Sequence, residues 1–255
     1  MRDSLREVLL HQRSYAPKDS DAMVRRGQLI RKDLAGQLRG QLDALSSDPD
    51  VDIGDLRVEA RDATGLYSEI PWARIHSLGR SPSATIGWYV VYLFDAPGDN
   101  VYLCLMQGTS RWQNNQYKTR PLPELRQRVE WARKVLDDRL KVRPDLTRTI
   151  KLNARGKKLA PGYEAGTVAA FAYPVDALPS DDVLSEDLRF LLSALSDLYG
   201  ALDQALDIPG EPAPEIAEVI DASERAALRR GSRGQGRRLS AEERSAIERR
   251  AMDVA

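Results

Sequence analysis

Two aromatic and β-branched runs constrain this chain more than anything else in it: Trp88–Phe94 (WYVVYLF) and Val101–Gln107 (VYLCLMQ). Between them lies DAPGDN, a turn-forming segment with Pro97, Gly98, Asp99 and Asn100. Such side chains suit a pleated surface, and Gly and Asn admit positive φ, so the stretch predicts a β-hairpin. Strand side chains alternate, so Trp88, Val90, Tyr92 and Phe94 share one face while Tyr89, Val91 and Leu93 share the other. Both faces are apolar. That places the hairpin at the centre of a sheet covered on both sides.

Apolar residues recur at helical spacing on either side of it. Leu5, Val8 and Leu9 mark a helix over 2–13, and Met23, Ile30, Leu34, Leu38 and Leu45 a long one over 20–45. Leu125, Val129, Ala132, Leu136 and Leu140 mark a third over 123–141, whose Arg126, Arg128, Arg133 and Lys134 form either a solvated helix face, the commoner case, or contacts to a nucleic-acid backbone. A leucine stripe from Leu188 to Leu202 marks a core helix over 185–206, with Ser185 as its N-cap. DLRVEAR sets Leu56, Val58 and Ala60 against Arg57, Glu59 and Arg61, predicting a half-exposed strand with its arginines outward. DATGLYSEIPW reads as a loop in which Pro71 fixes the approach of Trp72. The polar stretch 107–121 reads as a long loop that interleaves Arg111, Trp112, Tyr117, Lys118 and Arg120, a mixture suited to phosphates and exposed bases. TRTIKL (147–152) and GTVAAFAY read as strands, and NARGKKLAPGYEAG as a loop that holds Tyr163 at a turn. The fold expected is α+β: a curved, mostly antiparallel sheet flanked by helices, with a helical C-terminal extension.

The chemistry that is missing narrows the function. One cysteine, Cys104, cannot form an internal disulfide, which fits a reducing cytoplasm. There is no signal peptide and no apolar run of membrane-spanning length, so a soluble cytoplasmic protein is expected. Two histidines, His11 and His76, cannot build a His-rich metal site, and His76 reads as structural ahead of a ligand contact. No phosphate-binding glycine loop, HExxH or nuclease constellation stands out. The sequence therefore predicts a binding module without cofactor or metal rather than an enzyme. Basic and acidic residues balance at 38 each, but a local patch and not the total decides whether nucleic acid binds.

Several blocks together, LRVEARDATGLYSEIPW, GWYVVYLF, VYLCLMQG, GYEAGTVAAFAY and a Leu-rich helix ending DLYGAL, resemble the N-terminal DNA-binding domain of McrB-like proteins. That domain is the specificity part of modification-dependent restriction systems. The resemblance implies binding of double-stranded DNA containing 5-methylcytosine, with the modified base flipped into an aromatic pocket. Matched block by block, the pocket walls fall on Trp72, Leu93 and Tyr163. A fourth, aromatic in the family, falls on Thr64, with Tyr67 as a replacement from a shifted loop. Arg57, Arg61, Arg80, Arg111 and Lys118 lie on flanking segments as DNA contacts, and Arg57 is the first choice to fill the gap left by the flipped base. The alternative is an adaptor for DNA or RNA with no methyl preference.

From Pro209 the composition shifts to PGEPAPE, a further helix and the basic run RRGSRGQGRR. GQGRRLSAEERSAIERRAMDVA resembles the opening of a NO VEIN-type module. The expected layout is a DNA-binding domain over 1–208, a linker and helix over 209–238, and the first helix of a further domain over 239–255. On that layout the chain is the N-terminal part of a longer protein with an effector nuclease domain.

Overall fold

A computed structural model describes residues 1–64, 66–113, 116–156 and 159–204. The linker, the basic run and the NO VEIN-like segment lie outside the described residues. The central hairpin forms as its side chains demand: β3 (Trp88–Phe94) and β4 (Asn100–Gln107) pair antiparallel from Trp88↔Gln107 to Phe94↔Val101. Every residue of β3 is buried. Gly98 turns the connection with a φ of 76°, a conformation that costs a glycine least.

β1 (Leu56–Thr64) and β2 (Leu66–Ser77) add on one side and β7 (Thr167–Pro174) on the other, giving an antiparallel sheet of order β1-β2-β3-β4-β7. Its two faces carry separate apolar clusters. Trp88, Val90, Tyr92 and Phe94 join the larger one, beneath helices α1 (Arg2–Gln12), α3 (Ala35–Ala44), α4 (Leu122–Val135) and α7 (Asp181–Gln204). Tyr89, Val91 and Leu93 join the smaller, with Tyr102, Cys104 and Met106 from β4. That second face is covered by Ile150, Leu152 and helix α6 (Ala160–Gly166). The uneven cover matters for the site, because the thinner layer leaves room over β1, β2 and β3.

The long helix over 20–45 forms as one run, α2 (Asp21–Gln28) and α3 joined without a break by a π-helical segment, Leu29–Leu34. The structure corrects several other expectations. DATGLYSEIPW is not a loop: β1 and β2 pair directly, with Arg61↔Trp72 and Ala63↔Tyr67 flanking a bulge. Pro71 falls between those pairs, where its missing N–H costs no ladder bond, so proline does not break the strand. The 107–121 stretch is a ribbon of β5 (Ser110–Gln113) and β6 (Gln116–Thr119). Alternation of cross-strand pairs was hidden there by polar side chains. TRTIKL makes only one bridge to the open edge of β7, Thr147↔Ala170, because the segment then turns away to bury Ile150 and Leu152. Tyr163 sits on α6, not on a turn, since Pro161 occupies the first helical turn, where a missing N–H is harmless. Helix α7 starts at Asp181, and the Ser180 hydroxyl, not Ser185, faces its first turn.

Two candidate DNA-contacting arginines of α4 prove structural. Arg128 is buried with its guanidinium 5.5 Å from the Trp88 ring centroid, and Arg133 donates to the carbonyls of Val168, Arg148 and Thr167. His76 is buried too, its Nδ1 2.7 Å from the Ser81 carbonyl. Burial, then the nearby Arg74 charge, holds its pKa below the ordinary value, so it stays neutral.

Candidate functional site

β1 and β2 meet over the thinly covered face. Leu56, Val58 and Ala60 turn to the larger cluster, so Arg57, Glu59 and Arg61 turn to the other side. On β2 the same side carries Trp72 and Arg74. Trp72 pairs with Leu93 across the β2–β3 ladder and with Arg61 across the β1–β2 ladder. A cavity of about 170 Å³ opens there, with Trp72, Leu93, Val91 and Met106 as its apolar walls.

Two further elements close it. Helix α6 contributes Tyr163 and the β5–β6 ribbon contributes Ser110 and Tyr117. These two pack tightly: a Cβ on Gly162 would lie 2.6 Å from the Thr119 methyl, so only glycine permits the approach. The loop Pro82–Thr85 forms the remaining wall. It is pinned from below, where Arg74 Nη1 donates to the Ser81 hydroxyl at 3.1 Å and Tyr89 Oη donates to the Ala84 carbonyl at 3.0 Å.

The polar side of the cavity is a charged triad. Arg74, 1% exposed, donates from Nε to Glu59 Oε2 at 2.8 Å, and Arg61 donates from Nε to Glu59 Oε1 at 2.8 Å. Burial alone would raise the Glu59 pKa, but the Arg74 and Arg61 charges outweigh it and hold the carboxyl below the ordinary glutamate range. Both guanidiniums also lie 6.0 Å from the Trp72 ring centroid, and Arg74 lies 5.2 Å from that of Tyr89. Among the described residues no cluster of His, Cys, Asp and Glu could hold a metal ion, and no helix is long and apolar enough to cross a membrane.

The residues singled out from sequence divide cleanly. Trp72, Leu93, Tyr163 and Arg61 line this one cavity. Tyr67 is not among its lining residues; its ring lies 5.7 Å from the Arg26 guanidinium, and its carbonyl accepts from Tyr15. The Thr64 side chain lies outside what the structure describes. Arg57 is exposed on the same strand face as Glu59 but beyond the cavity. Arg80 is turned to α7, where it pairs with Asp203 at 2.7 Å and covers the Tyr199 ring. Arg111 and Lys118 are register partners on the β5–β6 ribbon, and alternation puts them on the face opposite Ser110 and Tyr117. Glu59 and Arg74 were missed as site residues. The available signal was WARIHS, which sets a buried charge two positions from Trp72 on the same strand face.

The family described as MrcB-like, N-terminal domain, matches residues 11–200. The chain belongs to that family. It is a family of DNA-binding rather than catalytic domains, and the match spans the whole sheet and the helices from α2 to most of α7. No curated protein and no solved structure matches the chain.

Proposed function

We propose that this MrcB-like domain binds double-stranded DNA containing 5-methylcytosine and encloses the modified base, flipped out of the duplex, in the cavity between Trp72, Leu93 and Tyr163. It acts as the specificity module of a modification-dependent restriction or defence protein, with cleavage assigned to another domain or protein. The observation that carries this reading is convergence. Three residues that the family resemblance names as pocket walls come from β2, β3 and α6, and all three line one cavity. Its size suits a single ring, since a cavity of about 150 Å³ accommodates benzene.

The chemistry of reading a methyl group favours enclosure. Burying one methyl contributes about 0.8 kcal/mol, roughly fourfold in affinity, so stacking and hydrogen bonds must supply most of the binding. Trp72 and Tyr163 offer the stacking surfaces, and Glu59 with its two arginines offers the polar edge. Arg57, exposed on the strand face that leads to the cavity, fills the gap in the duplex, and Arg111 and Lys118 contact the backbone. Arg80 joins that set where its exposed pairing with Asp203 gives way to phosphate.

The test is affinity for one duplex with and without a single 5-methylcytosine at matched salt, because phosphate contacts alone shift binding steeply with salt. Tighter binding to the methylated duplex supports the reading. Equal affinity overturns it and leaves a nucleic-acid adaptor without methyl preference.

A further inference from the structure

Stacking walls cannot tell one pyrimidine from another. Thymine carries the same 5-methyl group as 5-methylcytosine on a ring of the same size. The two differ at position 4, an amino donor in cytosine and a carbonyl acceptor in thymine, and at N3, an acceptor in cytosine and an N–H in thymine. Whatever distinguishes them in this cavity must be polar and must be fixed in place.

Glu59 meets both requirements. It is the only carboxylate among the described residues that line the cavity, and its two oxygens are anchored by Arg61 and Arg74. An ionised carboxylate accepts and never donates, and with each oxygen chelated on one side by a single guanidinium the outward lone pairs are left for a further donor. Beside it, Arg74 supplies the complementary group. Its guanidinium holds Glu59 Oε2 through Nε at 2.8 Å and Nη2 at 2.6 Å and lines the cavity beside the carboxylate.

We propose that Glu59 and Arg74 identify the base held in the cavity as cytosine: the Glu59 carboxylate accepts from the 4-amino group and the Arg74 guanidinium donates to the ring acceptors beside it. This rests on the base-pocket reading and adds to it the discrimination against thymine. The pair presents acceptor then donor, the complement of cytosine's amino group and N3. Thymine meets it with an acceptor at the carboxylate and a donor at the guanidinium, and both contacts turn repulsive.

The experiment uses the whole 255-residue chain and three duplexes, identical except for cytosine, 5-methylcytosine or thymine opposite one guanine. A neighbouring 2-aminopurine reports whether the base leaves the stack. A mismatched thymine is less costly to extrude than a paired cytosine, so flipping alone favours thymine. The expected result is the reverse: 5-methylcytosine is extruded and bound about tenfold or more tighter than thymine, within the range of a specific base contact. In Glu59→Gln the amide oxygen stays on Arg74 while the NH₂ replaces the oxygen that Arg61 held, gives up that bond and offers the base a donor, so the preference falls to parity or passes to thymine. Thymine bound as tightly as 5-methylcytosine by the unsubstituted chain overturns the proposal, with no variant needed. So does Glu59→Gln with an unchanged ratio. If 5-methylcytosine is preferred over cytosine and extruded but thymine binds equally, only the Glu59 assignment falls. If no base leaves the stack, the pocket reading falls with it.

Discussion

Replacing Trp72 by alanine removes one stacking wall while leaving the phosphate-contacting surface in place. Trp72 is half-buried at the margin of the smaller apolar cluster, beneath the Arg61 and Arg74 guanidiniums at 6.0 Å each. Losing a base–aromatic stack costs about 1–3 kcal/mol, or roughly 5- to 150-fold in affinity. Fully buried Trp→Ala changes cost about 3–5 kcal/mol of stability, and the half-exposed indole here sets a smaller cost, so the variant is expected to fold. Fluorescence anisotropy with methylated and unmethylated duplexes, each across a salt series, separates the terms. The specific affinity should fall by the stacking amount and the ratio between the two duplexes should collapse toward one. Binding to unmodified DNA and its salt slope should stay as they were, because neither depends on the indole. A Trp72→Ala chain that is folded and keeps its methylated-to-unmethylated ratio would refute the reasoning, and Trp72 would then be a packing residue only.

Three further outcomes follow from the geometry. Gly162→Val places a side chain against the Thr119 methyl, so α6 should shift and carry Tyr163 with it, weakening binding to methylated DNA several-fold more than binding to unmodified DNA in the same titration. Glu59 has a depressed pKa in the folded chain, so its stabilising contribution is complete above the unfolded value near 4.5 and is lost as pH falls through the lower folded value; urea unfolding of Glu59→Gln should show a flatter loss of stability below about pH 4.5 than the parent. Gly36 and Gly40 lie in α3 with nothing within 4 Å of an added Cβ, so Gly36→Ala with Gly40→Ala should stabilise by about 1–2 kcal/mol in thermal unfolding and leave DNA affinity unchanged.

The central hairpin was legible because both of its faces are apolar, a pattern that only a doubly covered strand pair satisfies. Helices α1, α4 and α7 were legible for the matching reason, a stripe at helical period. What escaped was wherever local chemistry argued against the element that formed. Pro71 marked a loop in isolation, but a bulge in the β1–β2 ladder absorbs it. The β5–β6 ribbon carries too few apolar residues to show alternation, and α6 begins amid proline and glycine. The Glu59–Arg74 pair escaped for a different reason. Alternation along DLRVEAR turned Glu59 away from the main core, which looks like solvent exposure until α6, the ribbon and the Pro82–Thr85 loop are known to cover that side. The resemblance supplied Trp72, Leu93 and Tyr163, and the register Trp72↔Leu93 gave two of them a physical reason to act together.

The most direct measurement is a crystal structure of the chain with a duplex carrying one 5-methylcytosine. The base is expected outside the helical stack, its ring between Trp72 and Tyr163, its methyl toward Leu93 and its amino group at Glu59. A methylated base still stacked in the duplex, with the cavity turned away from it, would contradict the account.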